Sequence, residues 1–140
     1  MSTRSDQITQ LKKMPEVYSD FTTAFSVNPF NGSLAKVSND KSITQSLRNL
    51  ILTNYGERLF QPDIGSNVNR VLFEPNDMIA QEDLQYHITQ TITQNEPRVN
   101  LMQVLVSPNV LQDSVAVNIV YSIINTQQVQ NLSLILKRVR

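Results

Sequence analysis

No cysteine occurs in the chain, which excludes a disulfide framework, a thiolate metal site and a thiol nucleophile. The single histidine, His87, stands mid-helix between Tyr86 and Ile88. Without clustered His or Cys neighbours in the sequence it suggests neither a triad base nor a metal site. Three glycines in 140 residues leave no glycine-rich phosphate loop. Tryptophan is absent and aromatic residues make up 6%, so flat surfaces for stacking a sugar or a base are few. No apolar run approaches the ~18 residues of a membrane-crossing helix, and the opening MSTRSDQITQLKKMPE lacks the apolar centre of a signal peptide. Twelve basic and twelve acidic side chains cancel. No global field draws the chain to nucleic acid or membrane, neither of which is expected as a partner, and no cofactor is expected.

What is abundant is amide. Thirteen glutamines and fourteen asparagines outnumber the 24 charged residues. Amides are easier to desolvate than ions, which suits a surface covered by neighbours in an assembly. The length fits one domain: a flexible polar arm over residues 1–16, then a single domain over 17–140.

The periodicity predicts an α+β fold, two helices on a small, mainly antiparallel sheet with a C-terminal meander. YSDFTTAFSV (18–27) is aromatic and β-branched, with Phe21 and Phe25 spaced for burial. NPFNGS supplies a turn and LAKVS a return strand. NDKSITQSLRNLILTNYG predicts a helix capped by Asp40 or Ser42, with Ile43, Leu47, Leu50 and Ile51 on one face and Gly56 at its end. ERLFQPDIGSNVNRVLFEPND reads as a hairpin or extended loop, then a short helical turn at VNRVLF. A second helix is capped by Asn76 or Asp77, buries Ala80, Leu84, Ile88 and Ile92, and stops where Pro97 denies Glu96 helical geometry. VNLMQVLVS, SVAVNIVYSII and NLSLILKRV predict strands, the middle one with Val115, Val117, Ile119, Tyr121 and Ile123 on one face.

Three kinds of chemistry compete for these residues. A glycosidase needs two carboxylates roughly 5–9.5 Å apart, one with a raised pKa; Glu57, Asp63, Glu74 and Glu96 are the candidates. Glu57 and Glu96 stand near Arg58 and Arg98, whose charges would lower a pKa. The basic cluster Lys137, Arg138 and Arg140 has no interleaved aromatics and suits a strand end or a protein partner. An envelope-binding module would need an exposed aromatic patch, whereas Phe21, Phe25, Phe60 and Phe73 sit among apolar neighbours and read as core. Glu96-Pro97-Arg98 remains. It is either a local pair across a helix-to-strand turn, or a rigid corner presenting both charges to a partner.

The run from DFTTAFSV through QSLRNLILTNYGERLFQPDIGS and LFEP, followed by NEPRV, closely resembles the sheath-initiating baseplate wedge proteins of contractile-tailed bacteriophages, a family also found in type VI secretion baseplates. The resemblance runs from about Val17 to Arg140. It implies a non-enzymatic virion protein of the tail baseplate, assembled in the host cytoplasm. It implies a sheet like the interlocking domain of the tail sheath protein, able to template the first sheath ring by β-strand addition. The implied partners are a larger dimeric wedge subunit and the tail sheath protein, with tail tube or hub proteins as further neighbours. Glu96, Pro97 and Arg98 are the family hallmark and are implied to serve wedge contacts. Arg58 and Arg70 are further partner-contact candidates that would otherwise pair with Glu57, Asp63 or Glu74; Lys137 and Arg138 stand as terminal ones. Family members have often been labelled lysozyme-like, so a tail-associated peptidoglycan hydrolase using Glu57 or Glu96 is the competing expectation.

Overall fold

The computed structural model describes residues 18–75, 77–109 and 113–137. The expected arm over 1–16, Asn76 as a cap and Arg138 as a contact all lie outside these residues. The order of elements is β1 (Ser19–Phe21), β2 (Lys36–Ser38), α1 (Asp40–Leu52), α2 (Val68–Leu72), α3 (Met78–Asn95), β3 (Val99–Asn109), β4 (Ser114–Ile123) and β5 (Val129–Lys137). The architecture is α+β. A two-stranded hairpin, β1-β2, and a three-stranded antiparallel meander, β3-β4-β5, accompany the helices.

The meander carries the core because its apolar residues alternate. Val115, Val117, Ile119, Tyr121 and Ile123 of β4 are buried, joined by Leu132, Leu134 and Leu136 of β5. Burying one such side chain contributes about 1.5–3 kcal/mol. In one cluster with them lie Ile43, Leu47 and Ile51 of α1 and Ala80, Leu84, Ile88 and Ile92 of α3. The helical stripes fall where their spacing puts them. Helix α3 starts as expected, with the Asp77 carboxylate accepting the Ala80 N–H at 2.9 Å, which satisfies one otherwise orphaned donor.

Helix α1 departs from expectation at both ends. Its N-cap is Asn39, which makes no side-chain capping bond, rather than Asp40 or Ser42. The Asn39 side-chain oxygen accepts the Tyr18 N–H instead, while the Asp40 carboxylate takes Gln130 and Ser42 is buried. The helix stops at Leu52, with Thr53 extended, not at Gly56. Ser66 supplies the reason: its hydroxyl donates to the Ile51 carbonyl at 2.5 Å and its N–H to that of Thr53 at 2.8 Å. These bonds take up carbonyls that another helical turn would otherwise have used.

Residues 54–66 form a loop closed by a single parallel bridge, Asn54 to Ser66, rather than a hairpin. Gly65 lies in its neck at φ +154°, where an added Cβ would stand 2.8 Å from the Asn54 carbonyl carbon. The phenylalanines reverse expectation altogether. Phe21, Phe25, Phe60 and Phe73, expected in the core, are all exposed, from 48% to 95%, as is Phe30 of the NPFNGS turn. Apolar neighbours in sequence had suggested burial. These residues instead lie in or beside short connections, whose side chains the meander and helices do not cover.

Candidate partner-binding site

The site grows from the end of α3. Proline excludes helical geometry at the residue before it, and Glu96 sits at φ −126°, ψ 79° as the helix C-cap. Its N–H still donates to the Ile92 carbonyl, and the Val99 N–H donates back to the Glu96 carbonyl. The Ile124 N–H fixes the carbonyl of Arg98. Backbone bonds therefore clamp the corner on both sides of Pro97, so the two charged side chains leave it in fixed directions.

They turn toward each other. Arg98 donates its Nε to Glu96 Oε1 at 2.5 Å and its Nη2 to Oε2 at 2.8 Å. This is the bidentate fork for which guanidinium and carboxylate are shaped. Ser46, from α1, donates its hydroxyl to Oε2 at 2.7 Å and lies 3.4 Å from Arg98 Nη2. The guanidinium carbon lies 5.3 Å from the centroid of the Tyr18 ring, within cation–π range. Tyr18 is itself held, its hydroxyl accepting from Asn125 at 2.6 Å.

Of the two readings of the triplet, the local pair is the one present in the structure, and only Arg98 keeps part of its surface outward. Glu96 is 4% exposed and faces inward, while the Arg98 side chain is 33% exposed. Burial alone would raise the Glu96 pKa. Hydrogen bonds from Arg98 and Ser46, with the Arg98 charge, outweigh it and hold the carboxyl below its ordinary value. Glu96 bonding holds the Arg98 pKa up against burial.

A cleft of about 200 Å³ opens beside this corner, lined among others by Asp20, Ser46, Asn49, Arg58, Asn95 and Glu96. Arg58 and Glu96 therefore line the same cleft. Arg70 is exposed on α2, outside this lining. Lys137 lies opposite Ser114, at the other end of β4 from the Val99–Ile123 pair, about 30 Å away at 3.3 Å per residue. Sequence spacing had not suggested Ser46 or Tyr18. Both are polar or amphipathic residues with no periodic signature, and only the fold carries them to the corner.

Two of the four candidate carboxylates, Glu57 and Glu96, are engaged by neighbours that favour their charged form. Glu57 does not pair with Arg58. Its oxygens accept the backbone N–H and side-chain amide of Asn54, each at 2.8 Å, and these bonds lower its pKa. Arg58 instead reaches Gln61 at 3.4 Å. Glu57 and Glu96 are thus both displaced downward, opposite to what a general acid requires. Asp63 and Glu74 are exposed. Among the described residues no group of three or more His, Cys, Asp or Glu side chains could hold a metal ion, and no helix is long and apolar enough to cross a membrane.

Comparison with known proteins matches residues 37–128 to the family model described as baseplate wedge protein gp25. The chain is 26% identical over 120 residues to the baseplate wedge protein gp25 of Enterobacteria phage T4, covering 85% of this chain and 90% of that one. Among solved structures, one from Geobacter sulfurreducens named a "putative tail lysozyme" superposes with a TM-score of 0.68 at 22% identity, over 72% of this chain and 92% of its own. The anti-feeding prophage baseplate contains a chain that superposes at 0.62 and 18% identity, over 88% and 87%.

Proposed function

Since the chain belongs to the baseplate wedge protein gp25 family, we propose that it works in a contractile-tail baseplate as a non-enzymatic connector between wedge and sheath. In this reading the Arg98 corner faces a larger dimeric wedge subunit, and one edge of the meander accepts a strand from the tail sheath protein. The sheet then acts as the first template for sheath polymerisation.

The observation that carries the reading is the difference between the two sheet edges. Strand β3 is interrupted by a bulge between Leu101 and Gln103 and contains Pro108, which has no N–H to offer. Such features blunt an edge. Strand β5 pairs with β4 through nine consecutive residues without a shift and contains no proline. Among the described residues it pairs with no further strand. A regular edge of this kind supports strand addition, in which main-chain bonds supply affinity and alternate side chains supply register. Each bond adds only about 0.5–1.5 kcal/mol; repetition around a tail multiplies weak contacts through effective concentration.

The hydrolase alternative is disfavoured by the two lowered carboxylates. The "tail lysozyme" name belongs to a relative at 22% identity, a likeness that reaches the fold alone.

A density map of the assembled tail tests the proposal directly. The expected result is a foreign strand on β5 and a wedge chain against the exposed third of Arg98. A capped β5, with Arg98 facing water in the complete particle, refutes it. Clearing of cell-wall suspensions by the pure protein, abolished by Glu57→Gln or Glu96→Gln, would establish the hydrolase instead.

A further inference from the structure

The loop Asn54–Ser66 is built more firmly than a connector needs. Its neck is closed by the Asn54–Ser66 bridge, by the Ser66 bonds to Ile51 and Thr53, and by Gly65 packed against the Asn54 backbone. Asn69 of α2 donates to the Asn54 side chain at 2.8 Å, which fastens the neck to the next element. Inside the loop, the Gly56 N–H donates to the Pro62 carbonyl, the Ile64 N–H to that of Gln61, and Glu57 folds back onto Asn54. Compact loops with closed ends and internal bonding are frequently functional.

This scaffold displays its apolar residues. Leu59 is 91% exposed and Phe60 95%, so neither contributes to the core. Their electrostatic setting is lopsided. The Glu57 carboxylate is occupied by Asn54, leaving the adjacent Arg58 with a 3.4 Å contact to the neutral Gln61 and no ion pair among the described residues. The tip therefore shows a leucine, a phenylalanine and one cation beside an already engaged anion.

From this placement we infer that the Arg58-Leu59-Phe60 tip is a preformed docking element that seats Leu59 and Phe60 in an apolar recess of a neighbouring protein subunit, with an acidic residue at the rim facing Arg58. The surface is distinct from the β5 edge, and the inference rests on the chain's being a baseplate subunit. A protein recess fits better than a lipid surface. Membrane-surface attachment draws on several cations or a long apolar helix face, and this tip carries one cation in a chain of zero net charge. A rigid loop also loses little conformational freedom on docking, so burial of its two anchors is retained as affinity. Aromatic and arginine residues are the usual energetic centres of such contacts.

The absence of cysteine makes the test direct. Phe60→Cys introduces a unique thiol, labelled in the full chain with a benzophenone photo-crosslinker and carried into tail particles purified from producing cells. The expected result is a crosslink to another protein subunit. In parallel, Leu59→Ser/Phe60→Ser should melt with the unmodified chain yet enter particles at least about tenfold less well, as for loss of a central anchor. Particles in which residue 60 yields no protein adduct and stays open to a water-soluble thiol reagent overturn the inference while leaving the baseplate reading intact. Flotation of the unmodified chain with phosphatidylglycerol vesicles, abolished by the double serine variant, overturns it in favour of a lipid surface. Particles that lack the unmodified chain bring down both readings.

Discussion

Glu96 and Arg98, two residues apart across a proline, meet as a two-bonded fork whose oxygens are also held by Ser46, fifty positions earlier. The carboxylate is buried and the guanidinium only partly so. One member of the pair thus fixes the other. Arg98 is held by its partner, by Ser46 and by the Tyr18 ring, and offers the remainder of its surface outward.

The fork makes stability depend on pH in a definite direction. The folded Glu96 carboxyl titrates below its ordinary value of 4.5. Its contribution is therefore full above that value and is lost as pH falls through the lower folded value. Glu96→Gln should lose stability at neutral pH and show a shallower acid limb in melting temperature from pH 6 to pH 2. Equal acid slopes for variant and parent would show that the fork adds nothing.

Removing Ser46 and removing Arg98 should not be independent, since both donate to Glu96 Oε2. Ser46→Ala loses a charge-assisted bond, about 1–2 kcal/mol. Arg98→Ala leaves a buried carboxylate without its cation and should lose about 2–4 kcal/mol after allowance for its partial exposure. A urea-unfolding double-mutant cycle should give a coupling of at least ~0.5 kcal/mol. For the same reason, Glu96→Gln/Arg98→Gln separates partner binding from folding better than Arg98→Ala does.

Asp77 should matter more to α3 than its exposed position suggests. Asp77→Ala removes the capping bond to Ala80 and should lower stability by about 1 kcal/mol, while Asp77→Asn keeps most of it. Thermal melts of the two variants decide this, and equal losses would argue for charge rather than capping.

The exposed phenylalanines should tolerate change that the core does not. Phe30→Ser should stay within about ±0.5 kcal/mol of the parent. Ile119→Ala, at a fully buried position, should lose about 2–5 kcal/mol. Denaturant midpoints measure both.

Gly65→Ala should open the loop neck, because its Cβ would meet the Asn54 backbone at 2.8 Å and the residue sits at φ +154°. The expected loss exceeds ~1 kcal/mol, with faster amide exchange at Ser66, whose N–H donates to Thr53. Unchanged exchange there would show that the neck yields without breaking.

Much of the scaffold was legible in the sequence because it follows from local repetition. Ile43, Leu47 and Ile51, then Ala80, Leu84, Ile88 and Ile92, recur at helical spacing, and all are buried. Alternation in 115–123 placed five residues of β4 on the core face. Pro97 stopped α3 through the geometry it imposes on its predecessor. The end of α1 was not legible, because Ser66 fixes it from fifteen residues away. Nor were the phenylalanines. Hydrophobicity states what a side chain gains if covered, and nothing local states whether another element arrives to cover it.

Neighbours a few residues apart set the α+β class, the two apolar helix faces, the terminal meander and the corner at Pro97. Long-range packing, in contrast, turns Glu96 inward to Ser46 and Arg98, brings Arg58 but not Lys137 to the cleft beside it, and makes β5 rather than β3 the regular edge. Those outcomes depend on which distant segments the fold sets side by side. No periodicity along one segment records that.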